Sequence, residues 1–514
     1  MKHRSLLAAA LSLFGLPIIL ISGDVLEHHR DDARTGMYVD RHITRAAAAS
    51  TRRDVSFSAA LPGPTYAQPL YVSDGPQDTP AFIVATEQNV VLALDAGSGS
   101  RLWSTTLGEP VPLSQLPCGN IDPLGATGTP VVDPDARVLY VAAMTTPDHG
   151  KTKRQRIFAL SLDDGTILPG WPVEVSGVTS GSSSFDSSVQ QQRGALALHW
   201  GVLYVPYGGL AGDCGNYHGW VVAVPVSEPS KITAWATAAR GGGIWAPGGL
   251  AADRDFIYAA TGNTFGASTW MGGEAIIRLG PGATFSGAAS DYFAPSNWLQ
   301  LDDGDVDIGG SGPVLIDVPG AKPTRLAVSL GKNGVAYLLD RNNLGGIGRG
   351  DGVTGEGIQS RQVATAQIIN AAAAYQAPSG TYVVFRTNGT GVGCPTTSGD
   401  LIALHIGATA PPTISVAWCA GNQGAGSPMV TTIDGTSEPI VWTVGSESSN
   451  RLHAFDGETG KLLFAGGGSP EQMSLVRRFQ TPIAVDGRII VAADNELYAF
   501  RAGAASRPEN REVR

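Results

Sequence analysis

Residues 90–103 read VVLALDAGSGSRLW and residues 451–466 read RLHAFDGETGKLLFAG, two copies of one device far apart in the chain. In each, an alternating apolar strand ends in Ala-Leu-Asp or Ala-Phe-Asp, a Gly-containing turn follows, and a second strand starts at once. The chemistry of that turn is local. An Asp carboxylate accepts from the turn's own amides, and Gly takes a positive φ at no steric cost.

The device recurs in degraded form. It appears as IFALSLDDGTILPGW (157–171), WVVAVPVSEPSKITAW (220–235), AIIRLGPG (275–282), VAYLLDRNNLGG (335–346), LIALHIGATAPPTISVAW (401–418) and ELYAFRAG (496–503), eight copies in all. A further hairpin precedes most copies, as in TPVVDPDARVLYVAA (129–143), GALALHWGVLYVPYG (194–208) and TPIAVDGRIIVAAD (481–494). Each unit thus supplies about four short strands over 45 to 66 residues. Four-stranded units at that period are the blades of a β-propeller. The expectation is an all-β, eight-bladed β-propeller of four-stranded antiparallel blades, with the strand in AQPLYV (67–72) completing the last blade. Trp103, Trp171, Trp235 and Trp418 recur at positions suited to packing between blades. Two long loops, 107–127 and 175–192, gather on the faces in such a fold and can roof its channel.

Composition agrees. Charged residues make up 16% and Gly 67 of 514, which suits many strands with tight turns rather than helical packing. A net charge of -10 leaves no basic stripe to neutralise phosphates, which excludes a nucleic-acid partner.

At the N-terminus, Lys2, His3 and Arg4 precede an apolar run ending in small residues at Gly23, the pattern of a cleaved secretory signal over 1–23. The mature chain is expected to be one propeller over 24–501, periplasmic or extracellular and without stable membrane insertion, with a disordered polar tail over 502–514. Export makes Cys118, Cys214, Cys394 and Cys419 disulfide candidates, with three pairings possible. No Cys-x-x-Cys-His occurs, so no c-type haem is attached.

With its Ala-x-Asp-x-x-Thr-Gly turn at 454–460, the repeated unit resembles that of the pyrroloquinoline-quinone (PQQ) propellers. That group holds quinone-dependent alcohol dehydrogenases, non-catalytic scaffolds and many secreted proteins of unassigned role. VLEHHRDDARTG (25–36), YHGW (217–220) and LLDRNNLGG (338–346) look most like the last set. In the dehydrogenases a Trp floors the cofactor, an Asn after Thr-Gly binds Ca²⁺, an Asp acts as base, and a Lys or Arg before Asn-Gly touches the quinone. The resemblance places Trp245, Asn263 in ATGN, Asp305 in DGDVDIGG and Lys332 in GKNG in those roles and in that order. It implies PQQ and Ca²⁺ as cofactors, with Asn263, Asp305 and Asp213 as candidate Ca²⁺ ligands.

Three departures accompany it. The dehydrogenases carry two adjacent cysteines over the cofactor, where this chain has only Cys118. Leu124 stands near the place of their carboxylate-pairing Arg, and Asp213 replaces their Ca²⁺ glutamate. The site residues also have plainer readings: Asn263 and Lys332 sit in turn sequences, the run Asp302, Asp303, Asp305 and Asp307 could face water, and His218 reads as a strand histidine. Three functions therefore follow: a quinoprotein-like propeller with a degenerate pocket for a small polar organic ligand or a cell-envelope partner, a PQQ- and Ca²⁺-dependent alcohol or polyol dehydrogenase, or a quinone-independent lyase or hydratase.

Overall fold

A computed structural model describes residues 23–503. Residues 1–22 of the expected signal (1–23) and residues 504–514 of the expected tail (502–514) lie outside the described residues. Eight blade sheets follow one another along the chain, each running from an inner to an outer strand, and a separate two-stranded ribbon, Thr179–Ser180 with Ser183–Ser184, lies in the long loop between blades 2 and 3. All eight sequence copies are third strands of their blades: Val90–Asp95, Arg154–Ser161, Trp220–Pro225, Ala275–Leu279, Val335–Asp340, Leu401–Gly407, Leu452–Asp456 and Glu496–Arg501.

The turn device forms as its residues dictate. Asp95 accepts from Ser98 N at 2.6 Å, and Asp456 accepts from Thr459 N at 2.9 Å. Gly99 and Gly460 take φ of +80° and +72°. The pairing shifts register just before the turn in both blades, between Ala93 and Leu94 and between Ala454 and Phe455. One extra residue there sharpens the twist and feeds the chain into the outer strand.

Closure differs from expectation. Leu70–Val72 pairs with Ala81–Ala85 and is the inner strand of blade 1. The last blade is completed instead by Arg52–Arg53 and Ala59–Ala60, both antiparallel to Glu496–Arg501. N-terminal and C-terminal strands thus share one sheet, and the ring has no open seam.

The core is a ring of apolar layers between consecutive blades. One layer joins Val91 and Trp103 of blade 1 to Leu139 and Val141 of blade 2, and another joins Val328 and Leu338 of blade 5 to Val383 and Phe385 of blade 6. Trp103 donates to Leu162 O at 2.8 Å and Trp418 to Gly457 O at 2.7 Å, each carbonyl belonging to the next blade. The indoles lie on the turn glycines of those blades. A Cβ on Gly165 would fall 2.6 Å from Trp103, and one on Gly460 2.7 Å from Trp418. Trp235 meets Phe285 of the next blade edge-on at 5.8 Å. Trp171 packs instead on Tyr140 of its own blade.

The segment 25–40 crosses the axis and touches every blade. Val25 bonds Tyr71 of blade 1, and Leu26 O accepts from Val132 N of blade 2. Arg34 donates to Leu196 O at the entry to blade 3 and to Leu250 O at the entry to blade 4. Asp32, Ala33, Thr35 and Gly36 then accept from Ala252, Leu315, Ala374 and Val430 of blades 4 to 7 in turn. Met37–Val39 pairs parallel to Met429–Thr432, and Asp40 accepts from Gly487 N of blade 8 at 2.6 Å. Arg34 is buried, and its partner Glu27, at 2.5 Å, is partly buried. This hub blocks one end of the channel, with the rings of His28 and His29 packed 4.3 Å apart inside it.

Candidate functional site

At the other end, loops of blades 3 to 5 enclose a cup of about 220 Å³. Trp245, Asn263, Asp213, Asp305 and Lys332, picked from scattered stretches, all line it. Trp245 stands between blades 3 and 4, Asn263 follows Ile257–Thr261 after Gly262, and Lys332 follows Arg325–Leu330 after Gly331. The glycines around them are there for close approach. Gly242 N donates to Asn263 O at 2.6 Å from a φ of +68°. A Cβ on Gly262 would press Asp307 at 2.9 Å and the indole nitrogen of Trp245 at 3.2 Å.

The central carboxylate is Asp307. Its Oδ2 accepts from Trp245 Nε1 at 2.8 Å and lies 3.1 Å from Lys332 Nζ, while Oδ1 accepts from Asn263 N at 3.2 Å. Asp305 takes a φ of +52°, projects into solvent with 64% of its side chain exposed, and reaches Lys332 at 2.8 Å from outside. The aspartate run therefore splits. Asp302 turns inward to hold Thr264 through N and Oγ1, at 2.6 and 2.5 Å, and so fixes the loop carrying Asn263. Asp303 is exposed.

Electrostatics follow from this packing. Burial pushes the Asp307 carboxyl up, and Lys332 pulls it part of the way back. Burial alone would lower the Lys332 ammonium, but Asp307 and then Asp305 outweigh it and raise its pKa. Lys332 Nζ also lies 5.3 Å from the Trp245 ring centre, within cation–π range. Behind the site, Glu274 accepts from Ile308 N at 2.8 Å while its Oε1 has no partner. Burial first, and Asp307 second, drive its pKa well above the usual carboxylate range.

The remaining wall holds the other predicted residues. Tyr217 OH donates to Asp213 at 2.5 Å. Next to it, Cys214 bridges to Cys118 and ties the roof loop 107–127 to the wall, while Cys394 pairs with Cys419. Leu124 is buried with Val111, Ile121 and Leu210 in a small core of that roof. His218 Nδ1 bonds Thr237 O at 2.9 Å, a structural role. Arg193 completes the lining, a residue that no sequence pattern had marked.

The position between Asp305 and Asp307 is filled by the Lys332 ammonium, and Asp213 is engaged by Tyr217. Among the described residues no group of three His, Cys, Asp or Glu converges as a metal site. As arranged, this donor set does not fit Ca²⁺, which takes six to eight oxygens. The open groups at the cup, Asn263, Arg193 and the Trp245 ring, fit an organic ligand.

The fold is an eight-bladed β-propeller with a polar cup at its axis. Among solved structures the chain is similar to a quinohemoprotein alcohol dehydrogenase from Comamonas testosteroni, with a TM-score of 0.62 and 16% identity over 94% of this chain and 81% of that one. It is similar to a quinohemoprotein alcohol dehydrogenase from Pseudomonas putida HK5, with a TM-score of 0.61 and 13% identity over 96% and 82%. It also resembles a europium-containing methanol dehydrogenase, with a TM-score of 0.61 and 16% identity over 93% and 98%. At such identities the likeness carries the fold and not the chemistry. No protein-family profile and no curated protein matches the sequence.

Proposed function

We propose that this chain is an exported, quinoprotein-like propeller whose axial cup binds a small polar organic ligand. The observation that carries the reading is the convergence of Trp245, Asn263, Asp307 and Lys332 on one cup. An aromatic face, a free amide and a shared proton donor–acceptor pair are the parts from which polar ligand sites are made. Two disulfides support an oxidising compartment, and no described helix is long and apolar enough to cross a membrane.

The second reading is a PQQ-dependent alcohol or polyol dehydrogenase, favoured by the same four residues on this fold. In it Asp307, buried and bonded to Trp245, takes the place assigned to Asp305 as proton acceptor. Lys332 would then supply the positive charge beside the reacting oxygen. Calorimetric titration with PQQ, with and without Ca²⁺, separates the two. Saturable one-to-one binding that needs Ca²⁺ and is lost in Trp245→Ala establishes the quinoprotein. Absence of binding in both conditions retires it. If polar small molecules also fail to bind, a scaffold for a cell-envelope protein or polymer remains.

A further inference from the structure

Arg193 stands where the cup narrows into the axial passage, lining both the upper cavity and the constriction of about 10 Å³ beneath it. Among the described residues no carboxylate lies within ion-pair distance of it. Its one side-chain hydrogen bond is a long one, 3.5 Å to Gln191 Oε1. Its guanidinium lies 5.9 Å from the Phe479 ring centre. Phe479 itself is held at φ +69°, a conformation that a bulky residue seldom adopts and that marks stored strain, often at functional positions. Three hydrogen bonds to its backbone fix it there. Its N donates to Ala425 O, and its carbonyl accepts from Ser427 and Thr481 hydroxyls while Arg193 covers its ring.

The groups around Arg193 do not cancel its charge. Tyr66 and Arg478 are the other ionisable groups that it feels, along with Glu87. Glu87 already accepts from Gly125 N at 2.7 Å, and burial pushes its carboxyl up to about 7. A guanidinium with open donors in an enclosed site is built for a planar anion, which it binds through two parallel hydrogen bonds. The opposite end of the cup carries acceptors and an ammonium, Asp307 and Lys332, which suit a hydroxyl or carbonyl oxygen.

We infer that the ligand of the cup carries a carboxylate and that Arg193 is the residue that reads it, with Phe479 holding the guanidinium in place. The chemical class is a small organic acid bearing a second oxygen function. This rests on the proposed ligand-binding role of the cup and specifies it.

The test uses the intact mature protein and saturation-transfer NMR with malate, citrate and PQQ, each beside its methyl ester, plus glycerol as a neutral polyol. The expected result is binding of at least one acid, little binding of its ester, and affinity for the acid about 10- to 100-fold weaker in Arg193→Met, the loss of a charge-assisted pair. Arg193→Lys keeps the charge without the fork and should fall between, with an unchanged melting temperature; it carries the test if the Met variant fails to fold. Binding of esters or glycerol as tightly as acids, or wild-type acid affinity in Arg193→Met, overturns the assignment and leaves the ligand-binding cup standing. Binding of none of these probes overturns both.

Discussion

Lys332→Met should make stability depend on pH in a way the parent protein does not. Lys332 is 12% and Asp307 3% exposed, so the substitution strands a buried carboxylate. Removing one partner of a buried pair costs about 3–5 kcal/mol when the other stays charged. Asp305, being largely exposed, adds little. Asp307 already has a raised pKa in the folded state. A carboxyl raised on folding favours the folded state at acid pH and withdraws that favour as pH climbs through the folded value. Without Lys332 the folded value climbs further. The deficit should therefore be about 3 kcal/mol at pH 8 and smaller at about pH 4.5, closer to where the carboxyl takes up its proton. An unfolding entropy of about 2.1 cal/mol/K per residue makes 1 kcal/mol worth roughly 1 °C in a chain this long. Scanning fluorimetry should show a loss of about 3 °C at pH 8, largely recovered in the double variant with Asp307→Asn. Equal deficits at both pH values, or no recovery with Asp307→Asn, would refute the account of Asp307 as the stranded charge.

Two more perturbations probe the frame around the cup. Cys118→Ser opens a bridge spanning 96 residues and should cost about 5 kcal/mol by chain entropy, with new protease cleavage confined to 107–127. Unchanged cleavage would show that the small core of Val111, Ile121 and Leu124 holds the roof unaided. Arg34→Met should cost about 3–5 kcal/mol, since it removes donors to Leu196, Leu250 and His28 and leaves partly buried Glu27 unpaired. Hydrogen exchange should rise in 25–40 and at the entries to blades 3 and 4, and uniform exchange would count against the hub.

The blades were legible because their turn chemistry is local: Asp, Gly and the following strand lie within a few residues, and the degraded copies keep the apolar strand that leads into the turn. Closure was not. Arg52–Arg53 and Ala59–Ala60 are too short to alternate, and their partners lie at the far end of the chain. The strand in 67–72 looked like a better candidate by its apolar pattern, and that pattern serves the inner strand of blade 1. The cup shows the same division. Trp245, Asn263 and Lys332 carry signals in their glycine contexts and do converge. Choosing between Asp305 and Asp307 depends on one backbone angle, and the only sequence hint was the apolar, glycine-rich Ile308-Gly309-Gly310 that follows the inward one. Arg193 carried no signal, because an arginine after a glutamine run is ordinary surface composition until the fold encloses it.

The hub over 25–40 has a kinetic meaning. Its bonds join Val25 to Tyr71 but also Met37 to Val430 and Asp40 to Gly487, so they draw on nearly the whole span of the chain. Contacts so far apart in sequence form late, because loop closure must precede them. The first stretch of the propeller therefore waits, unsatisfied, until the eighth blade is built. Run in reverse, no blade can peel away without first detaching from a peptide anchored to seven others. Unfolding is then gated by one concerted rupture at the axis, and resistance to denaturation becomes a matter of rate as much as of equilibrium.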